Sequence, residues 1–365
     1  MHAPHYDAVL IGGGITGSFC AYFLAQAGKK ILLVDAPSLH RPASLAAGAF
    51  ITPKIGKPTL LSHYTDIAYA FVLELYKTEQ FKAFFHSTPL LQIPQESRDI
   101  DIFAQWASSH DTAIAPHDTP VGTLLIEEAG IVDAAKILHF LQQHFEVSHK
   151  EVQEIHRTSL GWKVEEWSTS HLILAQGAMP ALIDEPYMQI RPVWGERIEI
   201  EVPIEHNAYT RHRFVSLSAT LDEKRIIIGA THEQGKREGA LSPTAISALL
   251  AKAQEMLPLS PQPKIIDHRA GARAGTVDYL PLVGRIVDAD ATLAAHPRLK
   301  KGARIDSEAF TYHTNVSIIN GVGGRGFVLG PWLAWLLTQN ILLGEAIPHT
   351  LEPQRLFVRY AKRLK

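Results

Sequence analysis

Cysteine is almost missing: Cys20 stands alone in 365 residues, which excludes an internal disulfide framework and fits the reducing cytoplasm as the expected location. Excess charge is missing as well. Lys and Arg number 35 against 37 Asp and Glu, a net charge of -2, so binding to nucleic acid through bulk charge is excluded and such a contact needs a local basic patch. The N-terminus lacks the basic flank of a secretory signal, and its first apolar run passes straight into glycines. Only residues 326–344 approach membrane-spanning length. Pro331, Gln339 and Asn340 interrupt them, so a helix buried within the protein is expected, with no membrane as partner. Internal repeats and low-complexity tracts are absent. His is abundant at 19, yet no HxxxH or Cys/His cluster has ligand spacing, and no metal site is expected.

What remains is an ordinary globular composition, 46% hydrophobic, in a chain long enough for about two domains. Residues 7–10 read as a strand. A helix apolar nearly all round follows, through Phe19, Cys20, Tyr22, Phe23 and Leu24, and closes at Gly28. Residues 31–34 are a continuous apolar run, as in a strand buried on both faces of a parallel sheet. Together they make a βαβ unit. Further helices are expected over about 60–76 and 132–145, and strands over 152–155 and 172–175. From residue 190 the pattern changes: strands at 197–202, 214–219 and 225–228, the last two around the turn-like 221–224, form a meander. Ser242 and Pro243 suit the N-cap and first position of a helix with Ile246, Leu249, Leu250 and Ala253 on one face. Residues 316–319, a glycine-rich turn and a helix from about Phe327 repeat the strand–turn–helix order.

Gly12-x-Gly14-x-x-Gly17 lies between the first strand and helix. Gly12 permits the tight turn, Gly14 lets backbone approach a pyrophosphate, and Gly17 allows close helix–strand packing. With Ile15 and Thr16 these residues open a helix whose free N–H groups and dipole favour negative charge. Asp35 follows the second strand at about the fingerprint spacing, placed to accept from ribose hydroxyls and repel a 2′-phosphate. The fold class is therefore α/β, α+β overall: a Rossmann-type dinucleotide-binding domain with an inserted antiparallel sheet. A single fingerprint argues against a second, NAD(P)-binding domain.

Three further segments resemble one family, the D-amino-acid oxidase/glycine oxidase family of FAD-dependent oxidoreductases. The stretch from Arg41 to Ala47 and Gly48 is similar to its loop along the flavin. Gly271-Ala-Arg273-Ala-Gly-Thr276-Val-Asp278-Tyr-Leu-Pro281-Leu-Val-Gly284 resembles its GxRxxTxDxxPxxG segment, and Gly321-Val-Gly-Gly324-Arg325-Gly326 its C-terminal flavin loop. The resemblance implies FAD, held non-covalently, against Ala47, Gly48, Gly321, Gly324, Arg325 and Gly326. It places adenine at the Val152 backbone, adds Gly177 after the next strand, and makes Arg273 the partner of a substrate carboxylate. A glycine-rich turn opening a helix suits this independently, since its N–H groups can face the flavin C2 carbonyl. His212, His232 and His313, taken singly, read as structural or exposed.

One branch of the family, flavin oxidases of tRNA modification, is similar in further details: residues 47–54, Ile228-Gly229-Ala230-Thr231-His-Glu233-Gln-Gly235, and the basic end from Pro353 to Lys365. That resemblance implies oxidation of the glycine unit of carboxymethylaminomethyl-uridine in tRNA. A hydride passes from the glycine Cα to flavin N5, glyoxylate leaves, and oxygen is the electron acceptor. A free glycine or D-amino-acid oxidase, or a flavin-holding binding module without catalysis, are the alternatives. Arg355, Arg359, Lys362, Arg363 and Lys365 have two readings, a phosphate patch for tRNA or a solvated helix end. The FAD-binding segments are expected at 1–80, 146–186 and 271–365, and the substrate domain at 81–145 and 187–270.

Overall fold

The computed structural model describes residues 4–36, 43–110, 119–202, 207–222 and 224–364. Arg41, Glu223 and Lys365, each singled out above or within a segment that was, lie outside the described residues.

The apolar runs build a sheet ordered Leu282–Val287, Tyr312–Asn320, Trp167–Leu174, His5–Ile11, Ile31–Val34, Glu146–Ser148. Along this order the pairings are parallel except at Leu282–Val287, and an antiparallel hairpin, Ile155–Thr158 with Gly161–Val164, is added beside Trp167–Leu174. Side chains alternate across it: Ala8, Leu10 and Leu33 enter one apolar cluster, Val9, Ile11, Leu32 and Val34 another. Both faces being covered explains why these strands are apolar throughout. On the first face lie the helices Ile15–Gln26, Leu60–Lys77 and Gly326–Leu343. The middle one starts where Thr59 and Ser62 exchange side chain-to-backbone hydrogen bonds, a capping box. Gly326–Leu343 has the length and apolarity of a membrane span. Ten of its 18 residues are buried within the molecule, among them Phe327, Leu333 and Leu337.

The second sheet runs Ile190–Glu201, Arg225–Gly229, Ser216–Leu217, Thr210–His212, Leu90–Gln92, Leu124–Ile126, with Lys264–Thr276 paired along Ile190–Glu201. It is antiparallel except between Thr210–His212 and Leu90–Gln92. Helix Pro243–Gln254 covers one face through Leu249 and Ala253. The strand Lys264–Thr276 continues through residue 271, so Arg273 is carried by this sheet. The helix Ala134–Gln142 contributes Ile137, Leu138 and Leu141 to the cluster around Ile15–Gln26.

Several local expectations are corrected. Val132 belongs to a strand, Gly130–Val132, and the helix begins only at Ala134, because the Asp133 carboxylate accepts from Lys136 N–H as N-cap. Val152 is not in a strand: the N–H groups of Gln153 and Glu154 donate to the Glu165 carboxylate instead of a ladder, and the strand starts at Ile155. Only Ser216 and Leu217 of 214–219 pair regularly, because Ser218 Oγ takes the Ile227 N–H. Ser242 stands at the N-cap, but its hydroxyl bonds Thr244 Oγ1 and caps nothing. The basic end is a helix, Gln354–Ala361, in which Arg355 forks onto Asp278 at 3.0 and 3.1 Å and Arg359 lies 3.6 Å from the same carboxylate. Arg355 is therefore committed to the fold, while Arg359 stays exposed. Lys362 and Arg363 are exposed.

Candidate active site

The two sheets face each other across a cavity of about 1050 Å³. One end is made of backbone. Gly12, at φ +112°, turns so tightly that a Cβ there would stand 2.3 Å from Ala175 O, and one on Gly17 would stand 2.1 Å from Gly12 O. A Cβ on Gly14 would meet only Ser44 Oγ, at 3.2 Å, so space opens before it. Ser44 Oγ accepts from Ile15 N–H at 2.9 Å and Asp35 Oδ1 accepts from Gly13 N–H at 2.8 Å. Burial raises the Asp35 carboxyl, opposed by the Gly13 bond and by His149. Among the described residues the Gly14 and Gly324 amides have no acceptor, and both residues line the cavity. Unused N–H groups at a helix N-terminus and beside an acidic side chain fit a dinucleotide's pyrophosphate and ribose.

The other end is made of side chains. Arg273 lies flat against Gly195, whose added Cβ would meet its guanidinium at 2.5 to 2.7 Å, and its stem passes Gly324. Its one hydrogen bond among the described residues goes to Thr231 O at 3.2 Å. Burial lowers its pKa, and among the described residues it has no carboxylate partner. Arg325 extends toward Thr52 and Pro53, donating to both carbonyls at 3.3 Å, and burial pushes it down to about 10. His212 bonds Ser216 Oγ at 2.8 Å; burial, then Arg325 and His232, bring it down to about 4. His232 is lowered by burial and Arg273.

Gly12, Gly14, Ile15, Thr16, Gly17, Asp35, Ala47, Gly48, Gly177, Arg273, Gly321, Gly324, Arg325 and Gly326 all line this one cavity. Val152 does not; it is half-buried against the opposite cluster. His313 pairs with Glu185 at 2.6 Å, in a structural role, whereas His212 and His232 line the cavity. Ser44, Gly195 and the carbonyls of Thr52, Pro53 and Thr231 were not singled out as site groups from sequence. Ser44 lies in the flavin-type loop, and Thr52, Pro53 and Thr231 lie in the segments 47–54 and 228–235 that resemble the tRNA-modifying branch. Cys20 is buried in the first helix, and burial pushes its thiol up to about 12, which leaves it inert.

A dinucleotide cleft that ends at an unpaired guanidinium is the arrangement of a nucleotide-dependent redox enzyme with an anionic substrate. The chain belongs to the DAO family of FAD dependent oxidoreductases, whose model matches residues 7–340. The tRNA 5-methylaminomethyl-2-thiouridine biosynthesis bifunctional protein MnmC of Legionella pneumophila (strain Corby) is 23% identical over 95% of this chain. The chain spans 57% of that protein's length. Glycine oxidase of Bacillus subtilis is 25% identical, over 82% of this chain and 89% of that protein. Among solved structures, iminodiacetate oxidase from Chelativorans sp. BNC1 matches with a TM-score of 0.75 and 16% identity, over 95% of this chain and 98% of that one. Glycine oxidase from Geobacillus kaustophilus matches with a TM-score of 0.74 and 17% identity, over 96% and 99%. The protein is an FAD-dependent oxidoreductase acting on amines or amino acids.

Proposed function

We propose that this protein oxidises the glycine unit of carboxymethylaminomethyl-uridine in tRNA, in the cytoplasm, releasing glyoxylate, with molecular oxygen as final electron acceptor. FAD, bound non-covalently along Gly12–Gly17, Asp35, Ala47, Gly48 and Gly321–Gly326, supplies a two-electron acceptor. The observation that carries the substrate side is Arg273, a half-buried guanidinium in the cavity wall whose sole bond among the described residues is to a carbonyl. A carboxylate takes two parallel bonds from such a fork, which fixes the carbon beside it. Arg273 and Arg325 also favour the neutral form of a bound amine, since nearby cations lower its pKa. No protein base is then required. Removing a hydride, two electrons with one proton, from the glycine Cα gives an iminium ion, and water splits it into glyoxylate and the protonated aminomethyl-uridine. Arg359, Lys362 and Arg363 are the exposed cations of this end available to meet tRNA phosphates.

A second assignment, oxidation of free glycine, is favoured by the near full-length match to Bacillus subtilis glycine oxidase. Anaerobic bleaching of the flavin separates the two. Bleaching by tRNA bearing carboxymethylaminomethyl-uridine, with glycine inert, is expected; bleaching by glycine with tRNA inert overturns the tRNA assignment.

A further inference from the structure

Besides the exposed Arg237, the cavity wall carries two half-buried guanidinium groups, Arg273 and Arg325, and one carboxylate can satisfy only one of them. Their stems start side by side, since a Cβ on Gly324, the neighbour of Arg325, would lie 3.5 Å from Arg273 Cδ. From there they diverge. Arg273 reaches Thr231 O on the antiparallel sheet, whereas Arg325 reaches the carbonyls of Thr52 and Pro53.

The surroundings of Arg325 do not neutralise it. Its two hydrogen bonds are long, at 3.3 Å each, and go to uncharged carbonyls. Among the described residues no carboxylate lies within ion-pair distance. Asp66 is near enough to feel its charge, but that carboxylate approaches His110 at 3.9 Å and leaves Oδ1 buried without a partner. The other titratable neighbours are Lys54 and His212, and Arg325 depresses both. A desolvated cation beside Lys54, with no carboxylate at ion-pair distance among the described residues, is costly, and an oxyanion brought by a ligand removes that cost. Arg325 lines the same cavity as Arg273, so a ligand in the cavity can supply it.

We propose that Arg325 is a second oxyanion subsite, so that the amine oxidised here carries a carboxylate or phosphate on the limb away from the carboxylate held at Arg273. This rests on the assignment of Arg273 as carboxylate anchor. In a nucleotide substrate the second group is a phosphate of the modified residue; in a small substrate it is a second carboxylate. Arg325 acts through selectivity, by orienting the far limb of the amine.

The test uses the FAD-loaded protein and two matched pairs of amines, each followed by anaerobic flavin reduction. One pair is N-methylglycine and iminodiacetate, which differ by one carboxylate. The other is carboxymethylaminomethyl-uridine and its 5′-monophosphate. In at least one pair kcat/KM is expected to be about 10- to 100-fold higher for the member with the extra anion, carried mainly by KM, as for a charge-assisted hydrogen bond. The pair that shows the preference identifies the source of the anion. Arg325→Gln is expected to collapse that ratio and Arg325→Lys to keep part of it, so the proposal stays testable if the first variant does not fold. Equal kcat/KM within both pairs overturns the proposal, as does a ratio that persists in Arg325→Gln, including the case in which that variant merely loses FAD. If Arg273→Met abolishes oxidation of every amine while the ratio ignores Arg325, the anchor stands and the subsite falls. Oxidation that survives Arg273→Met overturns both.

Discussion

The two ends of the cavity are built by different means. At the dinucleotide end the working groups are main-chain amides, delivered by Gly12, Gly14 and Gly17 within six consecutive residues and by the Gly321–Gly326 turn. At the substrate end they are the side chains of Arg273, Arg325, His212 and His232, brought from strands and turns far apart in the chain. The first design tolerates almost no added atoms, because backbone meets backbone. The second tolerates changes of shape but not of charge, because Arg273, Arg325 and His212 are half-buried and partnered by little else.

That contrast is broken most severely by Gly17→Ala. A Cβ 2.1 Å from Gly12 O has no flexible neighbour to displace, so a loss of about 4 kcal/mol or more is expected, within the range reserved for severe lesions. Soluble yield and FAD content should both collapse. Arg273→Met is expected to leave the flavin spectrum in place and to lower kcat/KM by about 1000-fold, the loss of two charge-assisted bonds; steady-state rates on the amine that reduces the flavin measure it.

Protons distinguish the ends less sharply. His171, in the parallel sheet against Ser317, and His212, on the cavity wall, are both pushed by burial to about 4. Unfolded, each titrates near 6.5, so between those values the unfolded chain binds more protons. The stability is fully present above pH 6.5, falls as pH drops toward 4, and is flat below, by about 3 kcal/mol per histidine at most. Melting temperatures between pH 7 and 4 should show this slope, and His171→Gln and His212→Gln should each reduce it. A slope unchanged in both variants would refute the assignment. The smallest effect belongs to the surface: Lys362→Glu with Arg363→Glu should weaken tRNA binding a few-fold, more at low salt, with small-amine turnover as the internal control.

Legibility followed the same division. The glycine fingerprint and Asp35 were readable because each role is local: a turn, a helix start, one acidic residue at the end of the next strand. Arg273 was readable only through a family segment. Its seat on Gly195 depends on the pairing of Ile190–Glu201 with Lys264–Thr276, a contact between residues some 80 apart. His212 read as an isolated histidine because nothing near it in sequence foretells Arg325. The pairing of Arg355 was hidden for the same reason, since it looks free until Asp278 is brought beneath it.

The sequence by itself determined the βαβ unit and its dinucleotide turn, because hydrophobic period, helix caps and glycine sterics act over a few residues. Tertiary structure alone decided which cations are spent on the fold and which face the cavity unpaired. Charge pairing and desolvation depend on distances in space, and those exist only once the two sheets have closed on each other.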